Sequence, residues 1–188
     1  MHTVKTIKAE GSVFLITLSD GRRIYATQGA AVSMGLDEGF TLDEEMLAVL
    51  LADDEKHRCL KKALSLLGYS DKSRRDLYIR LSRLGYSRDA VEYALDCCED
   101  MGYLDENRQI ERACLREANV NLRGPRMIMG KLISKGYERA KVERALLRLV
   151  DEGEIDFSEN LERLCEKKGV TDEEERKALA YKSGYTIY

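Results

Sequence analysis

The chain has 188 residues, 44% hydrophobic and 35% charged, with a net charge of −3, no Trp and a single Pro. That length holds one domain or two small ones with a core, and the composition favours a soluble, helical, ion-pair-laced protein over a β-sandwich. No stretch nears the roughly 18 apolar residues of a membrane span, and "MHTVKTIKAE" has no apolar signal core, so a cytoplasmic setting is expected.

Residues 1–40 read as a small antiparallel β meander. "VKTIKAE", "SVFLITLS" and "RRIYAT" are rich in β-branched residues, and "SDG" at 19–21 is a hairpin-turn signal. Val4, Ile7, Phe14, Ile16 and Ile24 form the expected apolar face. Two or three strands alone are marginal, so the following helix is expected to cover it. That helix falls in a connecting segment, residues 41–70. Thr41 with Glu44 three residues on reads as a capping box, and a helical apolar pattern then runs through Leu67. One long helix and two helices broken near Ala52 to Asp54 both fit.

Gly-Tyr pairs punctuate the rest of the chain, at Gly68-Tyr69, Gly85-Tyr86, Gly102-Tyr103, Gly136-Tyr137 and Gly184-Tyr185. Glycine just past a helix end takes the left-handed conformation at little cost, and an apolar residue after it folds back on the last turn. Each pair is therefore read as a helix terminator. From Ser73 onward the chain also repeats itself: Leu77, Leu81, Gly85, Tyr86 and Val91 stand over Ile128, Leu132, Gly136, Tyr137 and Val142, all offset by 51. The unit is three helices, expected over 73–84, 87–101 and 105–122, then over 124–135, 138–152 and 156–168. Ser73 with Asp76, Ser87 and Asp105 are N-cap candidates, and Gly124-Pro125 places Pro at the first helical position. The expected units are a first repeat over 73–122, a second over 123–169 and an incomplete third over 171–188, beginning at Thr171 with Glu174 as cap partner. Such modules bury their faces against neighbours. The expected fold is mainly α, an elongated array of tandem three-helix repeats with the N-terminal meander.

Chemistry-bearing motifs are missing. There is no GxxxxGK[ST] loop, no GxSxG and no HExxH. Cys59, Cys97, Cys98, Cys114 and Cys165 are odd in number without CxxC spacing, and His2 and His57 lie far apart. Buried apolar thiols are expected rather than disulfides or zinc, with no cofactor and no enzymatic activity. The acidic runs Asp53 to Glu55 and Asp172 to Glu175 read as helix-start carboxylates.

Charge is unevenly spread. Residues 1–55 carry 4 Lys/Arg against 10 Asp/Glu, residues 56–149 carry 21 against 13, and residues 150–188 carry 6 against 11. A basic middle suits an acidic or polyanionic partner, or is solvated surface. In "KSRRDLYIRLSRLGY" the helical period turns Leu77, Leu81 and Leu84 inward and Arg74, Arg75, Arg80 and Arg83 outward. The stretch "ERACLREANVNLRGPRMIMGKLISKGYERAK" similarly exposes Arg112, Arg116, Arg123, Arg126, Lys131, Lys135 and Arg139. The excess of Arg over Lys fits bidentate contact with carboxylate or phosphate.

These segments resemble a known family. "KSRRDLYIRLSRLGYSRDAVEYALDCCEDMGYLDE" followed by "RGPRMIMGKLISKGYERAKVERAL" is similar to the bacterial RecX regulatory proteins, with Ser73, Asp76, Leu77, Leu81, Gly85 and Tyr86, then Gly102 to Glu106, then Gly124, Pro125, Ile128, Leu132, Lys135 and Gly136 at the family's motif positions. The resemblance covers roughly residues 60–160, and the N-terminal extension looks like that of longer Gram-positive members. Where members have an aromatic-Ala pair this chain has "ENRQIERAC", with Ile110 in the aromatic place. The resemblance implies a non-enzymatic, monomeric modulator that lies in the groove of the RecA filament on single-stranded DNA. It would block extension and lower ATP hydrolysis, strand exchange and co-protease function. Arg74, Arg75, Arg80, Arg83, Arg123, Arg126, Lys131 and Lys135 are the expected partner-binding residues. Two other readings stand beside it: a helical module binding single- or double-stranded DNA through its basic face, and an adaptor for a different protein.

Overall fold

The structure, a computed structural model, describes residues 2–185; the last three residues of the expected third unit lie outside them. The β-branched N-terminus forms strands β1 (His2–Glu10), β2 (Val13–Leu18) and β3 (Arg23–Thr27) as two successive hairpins. A fourth strand that the sequence pattern does not reveal, β4 (Thr41–Leu42), pairs antiparallel with the start of β1, giving the order β3-β2-β1-β4. Ile16 sits opposite both Ile7 and Ile24. Antiparallel partners share a face, so these apolar residues converge. Val4, Ile16, Leu18, Ile24, Ala26 and Leu42 are buried with Leu47 and Leu50 from the next long helix, while Ile7 and Phe14 are partly buried.

Thr27 accepts a hydrogen bond from the Ala30 N–H and caps the short helix α1 (Gln28–Ser33). Helix α2 then runs unbroken for 26 residues, Glu44–Tyr69. Its cap corrects the expected Thr41–Glu44 box: Asp43 accepts from the Met46 N–H at 2.7 Å, because Thr41 is held in β4. Asp53 to Glu55 lie mid-helix rather than at a helix start. Edge strand β3 presents N–H groups toward α2. Asp54 accepts from the Tyr25 N–H at 2.8 Å, Asp53 from the Thr27 N–H and Oγ–H at 2.9 Å each, and Arg58 donates to the Arg23 carbonyl at 3.1 Å. One helix face thus supplies the partners that another strand would give, closing this edge.

Helices α3 (Arg74–Arg83), α4 (Arg88–Asp100) and α5 (Glu106–Leu115) come next, the last continuing into a π-helical turn at Arg116–Val120. Then come α6 (Pro125–Ser134), α7 (Arg139–Asp151), α8 (Phe157–Lys168) and α9 (Glu173–Lys182). Ser73, Ser87 and Asp105 each accept the N–H three residues on, and Gly124 precedes Pro125 at the first turn of α6. The cap of α9 is Asp172, which accepts from the Glu174 and Glu175 N–H groups, in place of the expected Thr171. Leu84, expected inward, is 55% exposed, because α3 ends at Arg83.

Four of the Gly-Tyr pairs end helices as expected, with Gly85, Gly102, Gly136 and Gly184 at φ between 73° and 91°. At Gly136 the following Tyr137 N–H reaches back to the Leu132 carbonyl at 3.2 Å, and Tyr137 is buried. Gly68-Tyr69 departs from the pattern: both residues remain inside α2, and Tyr69 is 87% exposed.

The chain divides into two compact units, 1–70 with 77–103 and 71–76 with 104–188. In the first, α2 packs on α4 through Cys59, Ala63, Ala90, Ala94 and Cys98, all buried, and small side chains allow the close approach. In the second, Ile110, Cys114, Ile128, Leu132, Tyr137, Val142, Leu146 and Ile155 form the main core, with a satellite of Leu122, Leu164, Ala180 and Tyr185. Burial pushes the thiols of Cys59 and Cys114 up to about 12 and that of Cys98 up to about 11, so they act as apolar fillers.

Candidate partner-binding surface

Helix α3 carries four of the expected basic residues. Arg75 and Arg83 are exposed without an ion-pair partner among the described residues, Arg80 is exposed, and Arg74 is half-buried. Arg74 and Arg75 belong to the second unit, Arg80 and Arg83 to the first. The backbone N–H of Arg74 donates to Glu106 Oε1 at 2.8 Å, so the same carboxylate that pairs with Lys141 helps fix the start of α3.

The four cations of the second repeat divide differently. Lys135 is exposed at the end of α6. Arg123 and Lys131 instead converge on Glu117, whose side chain is only 1% exposed, at 2.7 and 2.5 Å. Burial alone would raise the Glu117 carboxyl, but hydrogen bonds from Lys131 and Asn121, with the charges of Lys131 and Arg123, hold it below its ordinary value. Glu117 sits in the π-helical turn, and its carbonyl accepts from the Arg123 N–H at 3.0 Å. Arg126 is exposed yet engaged, with its guanidinium 4.3 Å from the Tyr181 ring and an Nη2–H donating to the Tyr181 carbonyl at 2.5 Å. Three of the eight expected contact residues therefore hold the second unit together. The helical period locates Arg126 and Lys131 on α6, but the carboxylate that claims Arg123 and Lys131 is 6 and 14 residues away in sequence.

Where repeat 1 meets the end of α6, Ser73 is fully buried. It donates to the Lys135 carbonyl at 2.8 Å and accepts from the Asp76 N–H at 3.1 Å. Tyr137 donates to Gln109 Oε1 at 2.9 Å. The corresponding tyrosine, Tyr185, is buried with no hydrogen-bond partner among the described residues for its hydroxyl. Position 160, 51 residues after Gln109, holds an Asn one methylene shorter, whose amide serves Asn119 and Arg163.

A second basic surface lies between α5 and α7. A cleft of about 220 Å³ is lined by Asn107, Ile110, Glu111, Lys141, Arg144, Ala145 and Arg148. Lys141 pairs with Glu106 at 2.8 Å and Arg148 with Glu111. These cations are not among the residues expected from the sequence. The signal for them is their i, i+3, i+7 spacing, at positions where repeat 1 has Ala90, Tyr93 and Cys97. Among the described residues no group of three or more His, Cys, Asp or Glu is placed to hold a metal ion, and no helix is long and apolar enough to cross a membrane.

Residues 59–98 match the family model described as the first three-helix domain of RecX. That segment is similar to the first three-helix domain of RecX proteins. It takes in the C-terminal half of α2 with α3 and α4, and so includes Arg74, Arg75, Arg80 and Arg83 but not the other four cations. The fold is also that of solved RecX structures. A crystal structure of regulatory protein RecX superposes with a TM-score of 0.70 at 19% identity, covering 95% of this chain and 89% of that one. RecX from Lactobacillus salivarius gives 0.60 at 19% identity, covering 71% and 90%. No curated protein sequence matches the chain. The mainly helical architecture with a small N-terminal antiparallel sheet is thus the fold of those structures.

Proposed function

We propose that this chain is a RecX-like, non-enzymatic regulator that binds the RecA filament on single-stranded DNA. It blocks filament extension and lowers ATP hydrolysis, strand exchange and co-protease activity. The observation that carries the reading is the RecX three-helix domain at residues 59–98, set within a RecX fold over 95% of the chain. The residues proposed for charge-assisted contact are Arg75 and Arg83 on α3 and Lys135 at the end of α6, exposed and without an ion-pair partner among the described residues, with Arg74 and Arg80 beside them on α3. Arg123, Arg126 and Lys131 act indirectly, by keeping the second unit in shape. The protein works in the cytoplasm as a monomer.

Filament binding tests this reading. RecA assembled on labelled single-stranded DNA is mixed with the wild-type chain and with a variant carrying R75E, R83E and K135E together, and co-sedimentation is measured beside naked DNA. The wild type should sediment with filaments and the variant should not, with both folded by circular dichroism. Tight, steeply salt-dependent binding to naked DNA with no preference for filaments would instead favour a DNA-binding module.

A further inference from the structure

The cleft between α5 and α7 has walls of charge and a floor of carbon. Ile110 is 1% exposed and Ala145 half-buried, and together they make the apolar base. Lys141 and Arg148 are held at the rim by Glu106 and Glu111. Arg144 stands between them, exposed. Its Nε–H donates to the Ala140 carbonyl at 3.3 Å, which leaves the outer edge of the guanidinium without a carboxylate among the described residues. Lys141 pairs with Glu106, and Arg148 with Glu111 and, at 3.8 Å, with Glu152, so Arg144 is the cation of the cleft lining left without a carboxylate partner among the described residues.

The repeat fold does not require this charge. The matching positions in repeat 1 are Ala90, Tyr93 and Cys97, so the three-helix unit forms without cations there. A cleft of about 220 Å³ holds one or two side chains. One unpaired guanidinium above an apolar floor matches a single carboxylate on a methylene stem. It does not match a run of phosphates, which would also meet the two rim carboxylates.

We infer that this cleft docks an acidic side chain of a partner protein, with Arg144 receiving the carboxylate and Ile110 and Ala145 its stem. Resting on the function proposed above, that partner is the RecA filament. Lys141 and Arg148 are fixed beforehand by their ion pairs, so little side-chain ordering opposes docking.

The experiment is inhibition of single-stranded-DNA-dependent ATP hydrolysis by RecA, titrated with wild type, R144E, R144Q and, as a charge-matched control on strand β1, K5E. All are checked by circular dichroism and thermal melting. A charge-assisted hydrogen bond lost from the contact shifts the midpoint roughly tenfold. R144E should move it to higher concentration by at least that factor and R144Q by somewhat less, with K5E unchanged. Inhibition by both Arg144 variants at the wild-type midpoint would overturn the docking inference and leave the proposed function standing. A wild type that does not inhibit would overturn both. An equal shift in K5E would mean that bulk charge, not this cleft, is being read, and would also overturn the inference.

Discussion

Glu117 carries a charge where water hardly reaches, and Lys131 and Arg123 make that tolerable. Its carboxyl is held below the ordinary value of 4.5. A lowered folded value means that the ionised form is favoured by folding. The stability it contributes is therefore present above about pH 4.5 and is lost as pH falls through the lowered folded value. Glu117→Gln removes the charge but keeps the shape, leaving two cations that are each about one-third exposed and can partly rehydrate. The expected loss is about 2 kcal/mol at neutral pH, measured by urea unfolding. That loss should shrink as the pH falls through the lowered folded value, where the wild type gives up the same interaction. A variant equally stable at pH 7 would mean that the ion pairs contribute nothing net.

At the scale of elements, the junction between the α3 start and the α6 end is the most demanding site in the second unit. A Cβ on Gly136 would lie 2.6 Å from Ser73 Oγ, on a backbone at φ +91°. Gly136→Ala should therefore combine left-handed strain, about 1–2 kcal/mol, with a clash against a buried hydroxyl. Ser73→Ala alone should cost about 1 kcal/mol by removing the cap of α3 and the bond to the Lys135 carbonyl. The double variant removes the clash but keeps the strain, so the two costs should add to more than the double variant shows. Strict additivity in a thermal-unfolding cycle would reject the contact as the cause. Edge strand β3 supplies a second case: Asp53→Ala orphans the Thr27 N–H and hydroxyl and should cost about 1–2 kcal/mol. Hydrogen exchange at Thr27 should quicken, while exchange in the β1–β2 ladder should be unaffected; unchanged exchange at Thr27 would show that Asp53 does not protect the edge.

The same elements show what can be read from sequence and what cannot. Gly85, Gly102, Gly136 and Gly184 end helices through local backbone chemistry, so sequence suffices for them. Gly68 looks identical locally, yet α2 continues through it to Tyr69. Thr41 departs from its local pattern for a related reason: its pairing partner, Thr3, lies at the far end of the meander, and that non-local ladder moves the cap to Asp43. The role of Asp53 and Asp54 is likewise hidden, because the N–H groups they accept belong to a strand 26 to 29 residues earlier.

For the whole molecule, the family signature and the helical repeat are legible because they rest on spacing alone. The division into units is not, because residues 71–76 group with 104–188 while 77–103 group with the N-terminal unit. The binding surface is legible only in part. Periodicity marks Arg75, Arg83 and Lys135 as exposed, but it does not separate them from Arg123 and Lys131, which are tied to Glu117. The function proposed for this chain is restraint of the RecA filament. The most direct test is the rate of single-stranded-DNA-dependent ATP hydrolysis by RecA from the same cell type as wild-type chain is added. Strong inhibition at far less than one chain per RecA is the expected result, since a chain that blocks extension acts on many subunits. An unchanged rate at equimolar chain would contradict the account.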